Sequence, residues 1–469
     1  MGVMVGSPDV VMSDFAVRGK HVVVVGAARS GLAAVDVLLA NGARVTLTEA
    51  RDRLDDADRL RARGVALELG GHRAETLRSA DLIVLSPGVP PRQPALDDAR
   101  LGGVPIIGEL ELAWRFLSGR VIAITGTKGK STTTTLIGRM LDTAGRHVRV
   151  GGNIGLALSA QVNDSTPDTI HVVEASSFQL ESTVTFRPWI AVLLNFSPDH
   201  LDRHANVAEY ADSKARIFAN QRPDDWAVVN GDDPGTLALA ARGVARQMRF
   251  GLQARIDEGV ALAGDAIVHR TGHGDRPLVP LAAVRLIGRH LLSDVLAASA
   301  VGVVAGVPPE AMTGAVESFG GLEHALEPVA EIGGVRFVND TKATNIEAAR
   351  LAIESFARGV VAILGGRFKG GDFRDLRDAV RARVDAVVAI GEARALVREA
   401  LGDLVAVHEA RDMRDAVRTA FAAARPGGTV LLAPACASFD MFRDYAERGR
   451  VFKEEVGRLE REERERRER

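Results

Sequence analysis

The residues best suited to chemistry stand in the run Gly126-Thr127-Lys128-Gly129-Lys130-Ser131-Thr132, directly after the apolar run Val121-Ile122-Ala123-Ile124. Glycines let a backbone curl until several N–H groups converge on one anion, and a helix N-terminus favours negative charge. Lys130 would then reach the β- and γ-phosphates of a nucleotide, and the Ser131 or Thr132 hydroxyl would hold Mg²⁺. The common eight-residue phosphate loop would need Gly at position 124, which is Ile124, so this is a shorter variant. Alone it could arise by chance; with a strand before it and a helix after it, it reads as a nucleotide site.

Two further groups stand at strand ends. Glu174 closes the run Ile170 to Val173 and precedes Ala175-Ser176-Ser177-Phe178-Gln179-Leu180-Glu181, while His200 sits in Asn195-Phe196-Ser197-Pro198-Asp199-His200-Leu201-Asp202. Ligands of open α/β sheets bind beyond the carboxyl ends of the strands, which would put both groups beside the phosphate loop, where Mg²⁺ needs oxygen ligands. The plainer reading makes Glu174 a helix N-terminal acid and His200 a capping or loop residue. On these two residues alone the readings are even.

An N-terminal loop, Gly26-Ala27-Ala28-Arg29-Ser30-Gly31, keeps the outer glycines of Gly-x-Gly-x-x-Gly but has Ala28 at the middle one. Glu49 follows about twenty residues on, where a ribose-binding acid is expected. The loop indicates a nucleotide or dinucleotide, or else a tight turn made for packing. Nearer the C-terminus, three polar clusters follow strands: Asn339 to Asn345, Gly365 to Phe373, and Pro434 to Asp440. Asp340, Lys342, Lys369 and Ser438 could be turn residues, yet three clusters in one region favour a cleft lining.

The elements that must position these residues alternate β-branched runs with helical patterns, which indicates βαβ units and parallel sheets. Strands are expected at 21–25, 45–48, 81–85, 121–124, 169–173, 190–194, 335–338, 360–364, 386–390 and 429–432, with a helix over 30–40. At ~150 residues per domain, 469 residues suggest three domains. The chain therefore reads as α/β: a Rossmann-like domain at 1–108, a central P-loop ATPase-like domain with a mostly parallel sheet at 109–321, and a Rossmann-like domain at 322–469. The Glu/Arg-dense tail after Lys453 reads as a solvated helix end, with partner binding as the lesser alternative.

Bulk composition removes other classes. With 59 Lys plus Arg against 61 Asp plus Glu, the formal charge of -2 gives no reason to expect a nucleic-acid partner. The single cysteine, Cys436, cannot form an intramolecular disulfide or a Cys-based zinc site. Asp9 and Asp14 interrupt any signal-like pattern, and no uncharged apolar run is long enough to span a membrane. A cytoplasmic protein is the expectation.

Together these motifs resemble the Mur ligases over nearly the whole chain, from Val22 to about Val451. The resemblance is carried by Gly126 to Thr132, Gly151-Gly152-Asn153-Ile154-Gly155, Glu174 to Leu180 and Asp340-Thr341-Lys342-Ala343-Thr344-Asn345. The last run is similar to members that add D-glutamate; diaminopimelate- and alanine-adding members look like Asp-Tyr-Ala-His there. The resemblance implies ATP-dependent addition of D-glutamate to UDP-N-acetylmuramoyl-L-alanine through an acyl phosphate, by a cytoplasmic monomer. It implies that Gly126, Thr127, Lys128, Gly129, Lys130, Ser131 and Thr132 hold ATP. Of two Mg²⁺, one falls to Ser131, Thr132 and Glu174, the other to His200 and Lys214. Lys214 is expected to be carbamylated, since an ammonium would repel Mg²⁺ while a carbamate offers anionic oxygens; without the family it reads as a surface helix lysine. Ser30 in the Gly26–Gly31 loop, Arg51, Ser86, Pro87 and Gly88 are implied for the uridine diphosphate. Asn153 and Ser176 are implied for the rest of that substrate, Asp340 and Lys342 for the ATP ribose and γ-phosphate, and Thr344, Lys369, Ser438 and Tyr445 for D-glutamate.

Three positions depart from the family pattern. Lys128 replaces a usual Asn, Leu291 stands where an adenine-side Asn is usual, and Ala325 follows His324 where an Arg normally meets phosphate. Lys128, Arg289 or Arg367 could supply the missing positive charge. Rival readings are a folylpolyglutamate synthase, which would lack the UDP-binding module; an NAD-dependent oxidoreductase, which leaves the phosphate loop and Glu174 unexplained; and a non-catalytic nucleotide-binding regulator, motivated by Leu291 and Ala325.

Overall fold

The computed structural model describes residues 15–200, 203–253, 255–286 and 288–468. Asp9, Asp14, Leu201 and Asp202 lie outside the described residues. By packing, the chain divides into two units, Met1–Val284 with Ser293–Ser318, and Arg285–Leu292 with Phe319–Arg469.

The first unit holds two sheets. One comprises β1 (His21–Val25), β2 (Arg44–Glu49), β3 (Ala66–Leu69), β4 (Leu82–Leu85) and β5 (Ile106–Gly108), all parallel, in the order β3-β2-β1-β4-β5. Val22 to Val25 are fully buried, as a strand covered on both faces requires, and this is why the run reads as uninterrupted valine. The order reverses between β1 and β4, so the loops after these strands, Gly26–Gly31 and Ser86–Gly88, must meet.

The other sheet comprises β6 (Arg120–Thr125), β7 (Val148–Gly152), β8 (Ile170–Glu174), β9 (Ile190–Leu193), β10 (Trp226–Asn230), β11 (Arg246–Gly251), β12 (Gly259–Ala263), β13 (Ala266–Thr271) and β14 (Gly274–Pro280). Its order is β14-β13-β12-β11-β10-β9-β6-β8-β7, parallel except for the β12-β13-β14 meander. β6 lies between β9 and β8, which sets the phosphate loop beside the chain segments carrying Glu174 and His200.

The second unit has one sheet of β15 (Glu327–Ile332), β16 (Val335–Asn339), β17 (Val360–Gly365), β18 (Val384–Ile390), β19 (Ala406–Glu409) and β20 (Thr429–Leu432). The order is β15-β16-β20-β17-β18-β19, with β15 antiparallel to β16. Because β16, β20 and β17 are consecutive, the three polar clusters that follow them share one sheet end. The tail forms the last turns of a helix, Tyr445–Glu468, whose Phe452, Val456 and Leu459 are buried at helical spacing in the sheet's core while its charged residues lie mostly at or near the surface. No helix among the described residues is long and apolar enough to cross a membrane.

Candidate functional site

The phosphate loop is built around one glycine conformation. Gly129 has φ 82, the left-handed region that a side chain rarely adopts, and a Cβ there would overlap Asp294 Oδ1. Helix Lys130–Thr143 starts from it and buries Leu136, Ile137, Met140 and Leu141. The preceding turn is held by Asn195, whose Oδ1 accepts from the N–H of Thr127 (3.0 Å) and of Lys128 (2.8 Å) and whose Nδ2 donates to the Lys128 carbonyl (3.1 Å). The Lys130 ammonium curls back to the carbonyls of Gly126 (3.0 Å) and Thr127 (3.1 Å).

Glu174, at the end of β8, is buried and accepts from Ser131 Oγ and from Asn153 Nδ2, both at 2.7 Å. A carboxylate in contact with the first helical hydroxyl of a phosphate loop suits a hard cation, which takes oxygen ligands. Among the described residues no three of His, Cys, Asp or Glu converge as a metal cage. Mg²⁺ habitually binds through one or two carboxylates plus substrate phosphates rather than such a cage, so this set fits it.

Lys214, on helix Val207–Ala215, is only 2% exposed and donates to the Gly126 carbonyl at 2.8 Å, the acceptor that Lys130 also uses. Burial and the neighbouring Lys130 hold its amine well below the usual lysine range. His200 is exposed, with φ 54; its ring meets the edge of Phe178 at 5.0 Å and lies 6.3 Å from Tyr210. Ser176 caps the short helix Ser177–Leu180 in a reciprocal arrangement with Gln179.

In the N-terminal sheet, Ser86 Oγ donates to the Gly26 carbonyl at 2.8 Å, so the two loops at the switch point do meet. A Cβ on Gly31 would overlap the Gly26 carbonyl, which explains that glycine, whereas Ala28 is exposed with φ -80 and needs none. Glu49 is turned inward. Its Oε2 accepts from the Ala27 N–H at 2.7 Å and its carboxylate pairs with Arg51, so it braces the loop rather than presenting a free acid.

In the second unit, Asp340 Oδ1 accepts from the Leu326 N–H (3.1 Å), Lys342 and Lys369 are exposed, Ser438 is buried and Tyr445 is 42% exposed. Thr344 is half-buried, its N–H bonded to the Lys342 carbonyl. Paired bonds between Arg367 and Ala437 join the second and third clusters. Beneath them the guanidinium of Arg448, 1% exposed, donates to Thr341 Oγ1 (2.8 Å) and to the carbonyls of Cys436 (3.1 Å) and Thr341 (3.0 Å).

Comparison with known proteins matches three family models in succession: Mur ligase MurD-like N-terminal domain over residues 20–108, Mur ligase middle domain over 124–302, and Mur ligase glutamate ligase domain over 326–436. The UDP-N-acetylmuramoylalanine–D-glutamate ligase of Acidobacterium capsulatum is 48% identical, covering 94% of this chain and 96% of its own. That of Koribacter versatilis is 44% identical, over 94% and 98%. The chain belongs to the Mur ligase family. Among solved structures, this Mur ligase shares its fold with the UDP-N-acetylmuramate–alanine ligase of Thermotoga maritima, with a TM-score of 0.58 at 18% identity over 94% of this chain and 100% of that one. The MurF ligase of the same organism, solved in complex with ADP, gives the same TM-score and identity over 94% and 96%.

For the departures from the family pattern, the structure sorts the three replacement cations. Lys128 is on the phosphate loop itself, 3.8 Å from Asp199; Arg367 pairs with Glu392 at 3.2 Å; Arg289 is exposed at the start of helix Arg289–Ala305. Leu291 is buried in the apolar core of the second unit. Several residues that shape this Mur ligase escaped sequence reading: Asn195 as the brace of the phosphate turn, Asp294 beneath Gly129, and Arg448 under Thr341. Asp294 had one signal, an acid on a helix face otherwise rich in Leu, Val and Ala. Arg448 had none, because Thr341, which takes two of its three bonds, lies 107 residues away in sequence.

Proposed function

We propose that this Mur ligase adds D-glutamate to UDP-N-acetylmuramoyl-L-alanine, using ATP, in the synthesis of peptidoglycan precursors. The observation that carries this reading is the 44–48% identity, over 94% of the chain, to ligases named for that reaction. The phosphate loop, the Glu174 cluster and the Asp340–Asn345 run are all present in it. The L-alanyl carboxylate takes the γ-phosphoryl group of ATP, leaving ADP; the D-glutamate amine then attacks the acyl phosphate through a tetrahedral intermediate, and phosphate leaves as the amide forms.

Residues Gly126 to Thr132 hold the nucleotide phosphates, with Lys130 moving from the loop carbonyls to the transferring phosphoryl oxygens. Such catalysis is positioning and charge stabilisation. Ser131, Thr132 and Glu174 would hold one Mg²⁺, and His200 with Lys214 a second; bound there, Mg²⁺ neutralises charge developing on the phosphoryl group. The depressed basicity of Lys214 supports its carbamylation, because the neutral amine is the form that adds CO₂, releasing a proton and leaving an anionic oxygen donor.

In the same reading, Ser30, Arg51, Ser86, Pro87 and Gly88 hold the uridine diphosphate, and Asn153 and Ser176 the muramoyl-alanine end. Asp340 and Lys342 meet the ATP ribose and γ-phosphate. Thr344, Lys369, Ser438 and Tyr445 receive D-glutamate, Lys369 with Ser438 supplying a cation and a hydroxyl for its side-chain carboxylate. Functional domains at 1–108, 109–321 and 322–469, a monomeric state and a cytoplasmic location belong to the same proposal.

The test is phosphate release by purified protein with ATP, Mg²⁺ and UDP-N-acetylmuramoyl-L-alanine, comparing D-glutamate with L-glutamate, L-alanine and diaminopimelate. Release that depends on D-glutamate, with a product of the adduct mass, is expected. Release with another amine, or with none, overturns the assignment.

A further inference from the structure

Arg203 stands outside every motif considered above, yet its side chain collects contacts from two separate segments of the first unit, Pro87–Val89 and Phe178–Glu181. Nη1 donates to the carbonyls of Pro87 (3.1 Å) and Gly88 (3.4 Å), and Nη2 to the Val89 carbonyl (3.0 Å) and to Glu181 Oε1 (2.8 Å). The guanidinium lies 4.4 Å from the Phe178 ring centre, over its face. That same ring packs against His200 at 5.0 Å and His204 at 5.5 Å. Arg203 also reaches His200 through the backbone, its N–H donating to the His200 carbonyl at 3.1 Å.

This is more than a surface ion pair. The Arg203 and Glu181 side chains are 15% and 13% exposed, and three of the guanidinium's acceptors are backbone carbonyls, which hold a loop's shape rather than a flexible tip. Charge-assisted bonds of this kind are about twice as strong as neutral ones. His200 meanwhile sits in a left-handed conformation, which persists only where surroundings over-determine it. The bond to its carbonyl and the Phe178 ring shared with Arg203 supply that constraint.

We propose that Arg203 is a positioning residue that locks the Ser86–Val89 loop to the His200 loop, so that occupancy of the UDP-sugar site and the placing of the His200 imidazole are coupled. The inference rests on the reaction assigned above. Arg203 acts through Pro87 and Gly88 on one side and through His200 on the other. The fork geometry matters, because a lysine at 203 would keep the charge but present one point where the guanidinium spans three carbonyls and a carboxylate.

The test measures steady-state kinetics of the wild type, Arg203→Lys and Glu181→Gln with separate titrations of UDP-N-acetylmuramoyl-L-alanine, ATP and Mg²⁺, alongside thermal unfolding. In Arg203→Lys the KM for the UDP substrate is expected to rise about tenfold, the size of one lost charge-assisted hydrogen bond. The Mg²⁺ concentration for half-maximal rate rises with it, while the KM for ATP stays within about twofold. Glu181→Gln, which leaves the carbonyl contacts in place, moves the same two quantities by a smaller factor. Unchanged KM for the UDP substrate, or a uniform loss in every parameter that tracks a fall in Tm, overturns the proposal and leaves Arg203 a structural staple. If wild-type protein lacks D-glutamate-dependent turnover, the functional reading fails first and this inference falls with it; if wild type turns over and the variants behave like it, only the inference fails.

Discussion

The turn Gly26–Gly31 and the turn Gly126–Lys130 are built alike: each closes a buried parallel strand, opens a helix, and has a carboxylate packed against it. In the first, Glu49 accepts from the Ala27 N–H, and its carboxylate is also bonded by Arg51. Burial alone would raise its pKa, but the Arg51 side chain and the N–H groups of Ala27 and Arg51 outweigh that and bring it to about 2. In the second, Asp294 packs against Gly129 with its Oδ2 lacking a hydrogen-bond partner among the described residues. Burial pushes its carboxyl well above the usual range, and the pull of Thr133 and Lys130 does not offset it. The turn's own N–H groups are met by the neutral amide of Asn195. The partners around the first acid favour its charged form, while burial of the second, beside the proposed phosphate turn, disfavours its charge. Partners decide the outcome, since both acids are buried.

The comparison breaks most visibly at Lys130. Lys130→Met is expected to lower kcat by roughly 10²–10³-fold, the scale of losing one preorganised charge-stabilising donor. Ser30→Ala in the other turn should raise the KM for the UDP substrate and leave kcat nearly intact. Retention of kcat within tenfold in Lys130→Met would mean that the second turn is not where phosphoryl transfer is stabilised.

The two acids should respond to neutralisation with opposite signs. Glu49 has a depressed folded pKa, so its contribution is present above its ordinary value of 4.5 and is lost as pH falls towards about 2. Glu49→Gln is therefore expected to cost on the order of 2 kcal/mol at pH 7 in urea unfolding, with the gap to wild type closing as pH drops. Asp294 has a raised folded pKa. Above its ordinary 3.8 the unfolded chain loses this proton before the folded one does, so the acid penalises folding as pH rises. Asp294→Asn is expected to be more stable than wild type at neutral pH and to converge with it below that value. A destabilised Asp294→Asn at pH 7 would show that the carboxylate is ionised and paired after all.

How far this could be read without coordinates differs between the same two turns. Glycine spacing and apolar strands located both, because φ above zero and close backbone approach leave a compositional mark. The runs at 21–25, 121–124 and 429–432 were legible because strands buried on both faces read as near-continuous apolar runs. The short or half-exposed β3, β7, β15 and β19 were not, lacking that run. Glu49 was legible as an acid at the right distance, yet its inward use was not, since direction depends on which N–H lies beneath it. Asp294, Asn195 and Arg448 act through partners on other loops, and spacing along the chain carries no record of those.

The smallest expected effect bears on what compensates for Leu291 and Ala325. Lys128 is the one of the three replacement cations that lies on the phosphate loop, and its ammonium is 3.8 Å from Asp199 with the two side chains 34% and 27% exposed. A partly exposed pair contributes little, about 0–1 kcal/mol, so Asp199 should release Lys128 readily to a phosphate. Lys128→Asn would restore the family's usual residue while removing the charge. At low ionic strength it is expected to raise the KM for ATP by roughly two- to fivefold with kcat unchanged, and the difference should fade near 1 M salt, where screening acts within about 3 Å. A KM indifferent to the substitution at every ionic strength would assign the compensation elsewhere.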